Sequence, residues 1–367
     1  MFILFTIVLL VIAVWVFTRV YLRGASLARY DATPGSEEPS RREPSEEHFE
    51  VLELLSEFAD TVGTSKSAKE RLAALRVGMD TMGEKMHLPD VHIVPADIDG
   101  VPGEWVLAEG ADSDRRLLYL HGGAFTMGSP RSHRIITSKL SSISGSAVLA
   151  VDYRLMPEHR RLDGLADCQI AYRWILENGP NGSTLLNTLF VAGDSAGGNL
   201  SLAVIAWARD CGLRAADGVV ALSPATDGTL TSPSIISNLE SDHMLGPAFR
   251  HLARLPNWVV LWVAWLTSKV RPCDPRVSPA HGDLSDLPPT LVHSSEDEML
   301  LDDARRYVNK AKEAGSDAAL ETWHHMVHVW HAYEHMLPEA SESFDSIAAF
   351  LEKCAPRRVE EKQLRAS

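Results

Sequence analysis

Cysteine is scarce in this sequence, and its four cysteines stand far apart. Cys168, Cys211, Cys273 and Cys354 form no CxxC pair, which argues against both a structural zinc site and a disulfide framework. Basic residues are in deficit as well, because 35 Lys and Arg stand against 49 Asp and Glu and leave a formal net charge of -14. We therefore expect no nucleic-acid partner, since such binding depends on Lys and Arg that neutralise phosphates.

Length and composition set the broad class of protein. The chain has 367 residues, of which 45% are hydrophobic and 23% charged. This composition excludes a wholly disordered chain, a collagen-like repeat and a coiled coil. The length fits one large α/β domain or two ordinary domains, and a chain of this size buries a large core without disulfides or structural metals.

The N-terminus departs from the acidic average. Positions 2–17 are apolar except for Thr6, and a helix continued to Leu22 would be about 33 Å long, enough to cross the hydrocarbon core of a bilayer. We therefore expect residues 1–22 to form a single transmembrane anchor. A cleaved signal peptide is the alternative, because residues 26–28 (SLA) form an acceptable cleavage site.

The charges around this apolar run bear on both readings. No Lys or Arg precedes it, and it is long for the apolar part of a signal peptide. Arg19, Arg23 and Arg29 lie at its C-terminal end. By the positive-inside tendency, the remainder of the chain is expected to be cytoplasmic.

The remainder divides by composition. Residues 23–47 are rich in Pro, Ser and mixed charge and predict a flexible linker. Residues 48–85 have the apolar spacing of helices. Short β-branched runs then alternate with helical segments over 86–354, which predicts a mostly parallel sheet with helices on both faces. Residues 355–367 form a polar tail.

One pentapeptide carries the clearest chemical indication. A buried strand runs into Gly193-Asp194-Ser195-Ala196-Gly197 and then into an Ala- and Leu-rich helix. This is the G-x-S-x-G pattern in its strand–turn–helix context, where a sharp turn exposes a nucleophilic serine. Gly193 and Gly197 supply the small residues that such a turn requires. An idle serine in a Gly-rich turn is the alternative.

A second Gly-rich loop precedes this pattern. His121, Gly122 and Gly123 follow an apolar strand, and consecutive glycines let backbone N–H groups face a reacting oxygen. With the N–H of Ala196, Gly122 and Gly123 are the expected donors of an oxyanion hole. We expect His121 to hydrogen-bond within its own loop.

Together these motifs resemble a known family. HGGAF at 121–125, VDYRLMPEH at 151–159 and GDSAG at 193–197 are similar to the hormone-sensitive-lipase-like α/β-hydrolases, the family IV esterases and lipases, and the resemblance covers about 85–352. It implies an α/β-hydrolase fold with a helical cap, and ester hydrolysis without a metal or organic cofactor. Two departures stand out: Ala124 replaces a frequent third glycine, and residues 160–162 (RRL) replace a Pro/Phe-containing stretch.

The resemblance also orders the remaining catalytic residues. An acid and then a histidine follow the serine along the chain. The family's final motif, with apolar residues two before and one after the histidine, selects His328 as general base. The family spacing anchored on Asp302 selects Glu298 as the acid, with Asp297 as the alternative. If 324–331 were helical, its histidines would have zinc-ligand spacing instead.

A cap is expected to cover the site. The family places an insertion at about 228–272, and the apolar run 258–266 lies within it. With the helices of 48–85, this run is expected to form a lid over an acyl pocket, with a buried helix as the alternative. Its nine residues are too few to span a bilayer, although they could rest on one.

The sequence thus predicts a membrane-anchored serine carboxylesterase or lipase that acts on a small, lipophilic ester. Ser195 would form an acyl-enzyme, His328 would carry the proton, and Glu298 would orient His328. Two alternatives remain open: a non-catalytic small-molecule-binding homologue, and an amidase or deacetylase that uses the same triad. No residue pattern defines an oligomeric state.

Overall fold

A computed structural model describes residues 2–33, 43–63, 67–85 and 90–357. Its strands are β1 (Val91–Ile98), β2 (Val101–Ala108), β3 (Asp112–Leu120), β4 (Ser146–Val151), β5 (Asn178–Gly179), β6 (Gly182–Ser183), β7 (Thr188–Asp194), β8 (Gly218–Leu222), β9 (Thr290–Ser295) and β10 (Ala318–Trp323). Its helices are α1 (Phe2–Val16), α2 (Glu46–Gly63), α3 (Ala68–Lys85), α4 (Arg134–Ser144), α5 (Arg161–Glu177), α6 (Ala196–Asp210), α7 (Ser234–Ser237), α8 (Leu245–Ala253), α9 (Asn257–Ser268), α10 (Leu301–Glu313) and α11 (Pro338–Cys354).

Eight of these strands form one sheet in the order β1-β2-β4-β3-β7-β8-β9-β10. The strands from β4 to β10 in this order pair in parallel, whereas β1 and β2 pair antiparallel at one edge. Every residue of β4, β8 and β9 is buried, as expected for parallel strands covered on both faces. The predicted α/β-hydrolase fold is confirmed.

Helices cover both faces of this sheet. Apolar side chains of α5, α6 and α10 pack with one face of the strands in the larger core cluster. Side chains of α4 and α11 pack with the other face in a second cluster. Pro95 lies in β1, the edge strand of the sheet, where proline is tolerated, and Pro102 is the second residue of β2.

The expected cap insertion contains α7, α8 and α9, which lie between β8 and β9 along the chain. Because β8 is parallel to its neighbours, the insertion leaves the sheet at the carboxyl ends of the strands. The N-terminal helix α3 contacts the short 3-10 turn Arg131–His133. Helical elements from two separate parts of the chain therefore lie near the carboxyl edge of the sheet.

The apolar N-terminus is helical, with α1 continuing into a π-helical turn at Phe17–Leu22. Together they form a 21-residue helix that is long and apolar enough to cross a membrane. Nothing in the described protein buries α1. Thr18 and Leu22, by contrast, are buried against the domain, so the helix is attached to the globule at its C-terminal end.

Residues 23–33 differ from the expected linker, because they pack on the domain. Leu27 and Tyr30 are buried, and Asp31 accepts a hydrogen bond of 2.5 Å from Arg306 Nε. The Asn309 amide donates to the carbonyl oxygen of Tyr30 at 2.8 Å. The buried side chains of Leu27 and Tyr30, and the pairing of Asp31 with the buried Arg306 guanidinium, hold this segment in place. The linker residues 34–42 and the tail residues 358–367 lie outside the described residues.

Candidate active site

Ser195 stands in the sharp turn between β7 and α6. Its backbone has φ +52°, a left-handed conformation that is uncommon for a non-glycine residue. The Ser195 N–H donates to Leu222 O at 2.7 Å, which ties the turn to β8. A Cβ on Gly197 would lie 1.9 Å from Leu120 O, and one on Gly193 would lie 2.5 Å from Gly197 O. The backbone therefore passes too close for any side chain at these two positions.

His328 and Glu298 meet Ser195 from the loops that follow β10 and β9. The distance from Ser195 Oγ to His328 Nε2 is 2.9 Å. On the other side of the ring, His328 Nδ1 donates to Glu298 Oε2 at 2.7 Å. The second oxygen of Glu298 accepts from the Ser294 hydroxyl and from the Ser295 N–H. These bonds fix the carboxylate and leave Nε2 free to accept the serine proton.

The two alternatives for these roles have different surroundings. Asp297 Oδ2 accepts the backbone N–H of His325 at 2.5 Å, so its carboxylate is directed away from the His328 ring. The 324–331 segment is not one helix, and His331 Nε2 lies 3.2 Å from His293 Nδ1. Within the described ranges, no group of three or more His, Cys, Asp or Glu side chains is arranged to hold a metal ion.

The electrostatics of His328 follow from its buried contact with Glu298. Burial lowers the pKa of His328, but the hydrogen bond to Glu298 and the charge of that carboxylate outweigh it, so the pKa lies above the ordinary 6.5. Asp242 and Asp194 add smaller contributions in the same direction. An imidazole in this setting accepts a proton more readily than one free in water.

One of the three expected oxyanion donors is wrong for this structure. Gly122 N–H donates to Asp194 Oδ1 at 2.9 Å, so it is already engaged and does not face a reacting oxygen. The N–H groups of Gly123 and Ala196 donate to no protein acceptor among the described residues. These two amides, one from each loop, are the expected donors that remain available for an oxyanion, and the Ala124 N–H has no protein acceptor among the described residues either.

Asp194 is the centre of a buried polar cluster beneath the serine. Besides Gly122 N–H, its carboxylate accepts the Tyr119 hydroxyl at 2.5 Å and lies 3.4 Å from His133 Nε2. Burial raises the pKa of Asp194, but the charge and hydrogen bond of His133 outweigh it and the net shift is downward. The aspartate of GDSAG therefore connects the serine turn to the loop that carries Gly123.

His121 has the role expected of it within its loop. Its Nδ1 donates to Gly122 O at 2.8 Å, and its ring stacks on Tyr153 with centroids 4.2 Å apart. The Tyr153 hydroxyl in turn donates to His121 O at 2.6 Å. Burial, together with nearby His133, lowers the pKa of His121 to about 3. His121 is therefore a neutral, structural histidine at neutral pH.

Sequence reasoning found no role for Arg161, which replaces part of the family's usual stretch. The structure buries its guanidinium over the Phe125 ring, 3.5 Å from the centroid. Its Nη2 donates to Asn199 Oδ1 at 2.7 Å, and burial lowers the pKa of Arg161 to about 10. Arg161 thus joins the oxyanion loop, through Phe125, to the helix that follows Ser195.

Arg76 on α3 supports the same loop from the outside, and sequence reasoning missed it too. It donates to Thr126 O at 2.7 Å and to Met156 O at 2.9 Å, and it pairs with Glu158 at 2.8 Å. Thr126 and Glu158 also line a cavity of 340 Å³, together with Ser268 at the end of α9. Helix α3 and the end of α9, which come from the two helical regions expected to form the lid, therefore both border the loop that carries Gly123.

Known proteins with similar sequences are found for most of this chain. A model of a family with the α/β-hydrolase fold matches residues 117–332. An acetyl-hydrolase from Streptomyces hygroscopicus is 37% identical over 263 residues, which is 71% of this chain and 83% of that protein. The carboxylesterase/phospholipase LipF from Mycobacterium tuberculosis is 36% identical over 276 residues, 75% of this chain and 70% of that protein.

Solved structures give the same result. An esterase from the bacterial hormone-sensitive lipase family superimposes with a TM-score of 0.73 at 35% identity, covering 85% of this chain and 99% of that one. The crystal structure of EstE5 soaked with p-nitrophenyl butyrate gives a TM-score of 0.71 at 34% identity, with 84% of this chain and 99% of that one covered. The family model leaves residues 1–116, and with them the apolar N-terminus, outside its match.

Proposed function

Because this chain belongs to the hormone-sensitive-lipase-like family of α/β-hydrolases and is a carboxylic ester hydrolase, we propose that it cleaves esters through an acyl-enzyme on Ser195 and works while anchored in a membrane. The observation that carries the mechanism is the continuous hydrogen-bonded line from Ser195 Oγ through His328 to Glu298, at 2.9 and 2.7 Å.

The proposed reaction has two halves. Ser195 Oγ attacks the ester carbonyl carbon while its proton passes to His328 Nε2, and the negative carbonyl oxygen is stabilised by the N–H groups of Gly123 and Ala196. The intermediate collapses, His328 returns the proton to the leaving alcohol, and the acyl group remains on Ser195. Water activated by His328 then releases the acid and regenerates the serine.

Substitution of the nucleophile tests this mechanism. Ser195→Ala is expected to lower kcat for short p-nitrophenyl esters by at least about 10⁴-fold, because it removes the group that forms the acyl-enzyme. The unfolding midpoint should change little, and a serine-reactive fluorophosphonate should label the wild type only. An unchanged kcat in the variant would refute the mechanism, and an inactive wild type that the fluorophosphonate does not label would favour a non-catalytic homologue. Cleavage of matched amides at equal rates would favour an amidase.

Support for an uncleaved anchor comes from its C-terminal end. Leu22 is fully buried, and Cys273 N–H donates to Leu22 O at 3.3 Å. The signal-peptide cleavage site at 26–28 coincides with a packed segment in which Leu27 is buried. Removal of residues 1–28 would strip these contacts from the domain. The basic residues that follow the apolar run favour a cytoplasmic catalytic domain.

Mass measurement of the protein isolated from membranes tests the anchor. An intact N-terminus, and retention in the membrane after alkaline carbonate extraction, are expected. A mature chain that begins near residue 29 would show that the segment is a signal peptide. Protease added to intact cells should leave the catalytic domain uncut, and its digestion there would overturn the cytoplasmic orientation.

A further inference from the structure

We propose that the outward face of α9 is a second membrane-contact surface, which rests on the bilayer that α1 enters and contacts anionic lipid headgroups. The proposal rests on the proposed membrane anchoring, and it adds a part of the catalytic domain to the membrane contact.

The outward face of α9 is apolar except for the exposed Thr267. Trp258, Val263 and Leu266 are 59%, 45% and 52% exposed, whereas Val260 and Leu261 on the opposite side are buried. Their spacing puts the exposed side chains on one side of the helix, and α9 contains no charged residue. A contiguous exposed face of this kind is typical of a surface that meets a membrane or a partner.

The position of α9 favours a membrane, because it packs against the end of the candidate spanning helix. The Phe17 ring lies 5.4 Å from the Trp262 ring and 5.3 Å from the Trp265 ring, measured between centroids. Trp262 Nε1 donates to Thr18 Oγ1 at 2.9 Å, and Tyr21 stacks on Phe17 at 4.8 Å. Trp and Tyr side chains concentrate where a spanning helix leaves the hydrocarbon core. The bilayer that covers α1 therefore reaches the level of α9.

The local charge favours an anionic surface. Residues 243–273 contain no Asp or Glu, although the whole chain has a net charge of -14. Lys269 and Arg271 follow α9 directly, and the Arg271 guanidinium lies 5.8 Å from the Tyr21 ring centroid. Arg19 lies on the adjoining anchor, and Arg23 directly follows it. Basic residues beside an apolar helix face are the pattern of interfacial helices on anionic lipid.

Lipid contact here would place the catalytic machinery close to the membrane surface. Ser268, at the end of α9, lines the 340 Å³ cavity with Thr126. Thr126 N–H donates to Gly123 O at 3.0 Å, so this cavity borders the loop of the proposed oxyanion hole.

Lipid-dependent quenching of a single label tests the proposal on the full chain. The protein, with Cys211→Ser and Cys354→Ser to remove accessible thiols, is reconstituted into vesicles of phosphatidylcholine and phosphatidylglycerol. An environment-sensitive fluorophore is attached at Val263→Cys or at Leu266→Cys. The matched control is Leu185→Cys, because Leu185 is 86% exposed and precedes β7, at the opposite end of that strand from Ser195.

Spin-labelled lipid is expected to quench the label at 263 or 266 at least about twofold more than the label at 185, with stronger quenching when phosphatidylglycerol is present. Equal quenching at all three positions would overturn the proposal. A shielded label at 263 that lipid does not quench, together with cross-linking between copies, would show that a second chain covers α9. A chain that fails to float with vesicles would overturn both anchoring and docking. Fluorophosphonate labelling of each variant reports separately whether the proposed catalytic site is intact.

Discussion

At neutral pH, Glu298 determines how readily His328 takes up a proton. The contact between His328 Nδ1 and Glu298 Oε2 is buried and short at 2.7 Å, and it holds the pKa of His328 above 6.5 against the opposing effect of burial. His328 must be neutral to accept the Ser195 proton. If His328 is the proposed base, activity is therefore expected to fall as pH drops through this raised pKa.

The pH profile of kcat/KM should have its acid limb above pH 6.5, because protonation of His328 in the free enzyme abolishes the base. Glu298→Gln removes the charge that raises this pKa, so the limb should move to lower pH. The same change should lower kcat by about 10²- to 10⁴-fold, since the imidazolium loses its stabilising carboxylate.

Asp297→Asn is the matched control for this prediction. Asp297 is adjacent in the chain, and its carboxylate accepts the backbone N–H of His325 and lies 3.9 Å from Nδ1 of that ring, so its substitution should leave the position of the limb unchanged. If the acid limb shifts with Asp297→Asn and stays in place with Glu298→Gln, then Asp297, and not Glu298, is the residue that orients His328.

Asp194 positions the loop that carries Gly123. Its side chain accepts the N–H of Gly122 and the hydroxyl of Tyr119, and so it holds the loop whose next amide, Gly123, is proposed to face the oxyanion. Asp194→Ala should lower kcat by about 10²-fold, the typical cost of a lost or displaced oxyanion donor, with a smaller change in KM.

Tyr119→Phe is the comparison for Asp194, since it removes one hydrogen bond of the cluster and keeps the Gly122 contact. We expect it to cost about 1 kcal/mol of unfolding free energy and to change kcat less than fivefold. Steady-state kinetics and denaturant unfolding measure both effects. Equal losses of kcat in the two variants would show that Asp194 does not act through Gly122.

At the scale of elements, Arg161 connects α5 to α6 and to the oxyanion loop. Arg161→Met would leave Asn199 Oδ1 without its donor and remove the cation from the face of Phe125. We expect a loss of about 2 kcal/mol in unfolding free energy, because a buried acceptor loses its partner. Arg160→Met is the control: the Arg160 side chain is 80% exposed and pairs with Asp163 at 3.0 Å, so the midpoint should not change. Equal effects of the two substitutions would contradict the role of Arg161.

The elements also show what a sequence can and cannot reveal. The meeting of Ser195, Glu298 and His328 could be predicted because each follows a strand, in an order along the chain that the family shares. The engagement of Gly122 was not, since it depends on where the Asp194 side chain points after residues 119, 133 and 194 meet in the fold. Arg161 was missed for the same reason, and the packing of 23–33 was hidden by a composition typical of linkers.

At the scale of the whole molecule, the N-terminus has two different parts. Residues 2–16 form the exposed helix α1, whereas 17–33 contribute buried side chains and the Asp31–Arg306 pair. Deletion of residues 1–16 should therefore leave the unfolding midpoint nearly unchanged in detergent. Deletion of 1–33 should lower the midpoint for two reasons. The Arg306 side chain, which is only 2% exposed, loses its partner Asp31. The buried apolar side chains of Leu27 and Tyr30 are lost as well.

Thermal unfolding of the two truncated chains, in the same detergent, makes this comparison. Equal midpoints would show that 17–33 contributes no stability and behaves as the flexible linker that its composition predicts. A lower midpoint for the shorter chain alone would assign these residues to the catalytic domain.

The central proposal is that the ester's acyl group passes through Ser195, and trapping that intermediate tests it most directly. The wild-type chain is mixed with p-nitrophenyl butyrate, quenched in acid within milliseconds, digested and analysed by mass spectrometry. We predict one butyryl group on the peptide that contains Ser195, formed as fast as the burst of p-nitrophenol and absent from Ser195→Ala. A burst with no acyl group on that peptide, or the same acyl group in Ser195→Ala, would contradict the proposed mechanism.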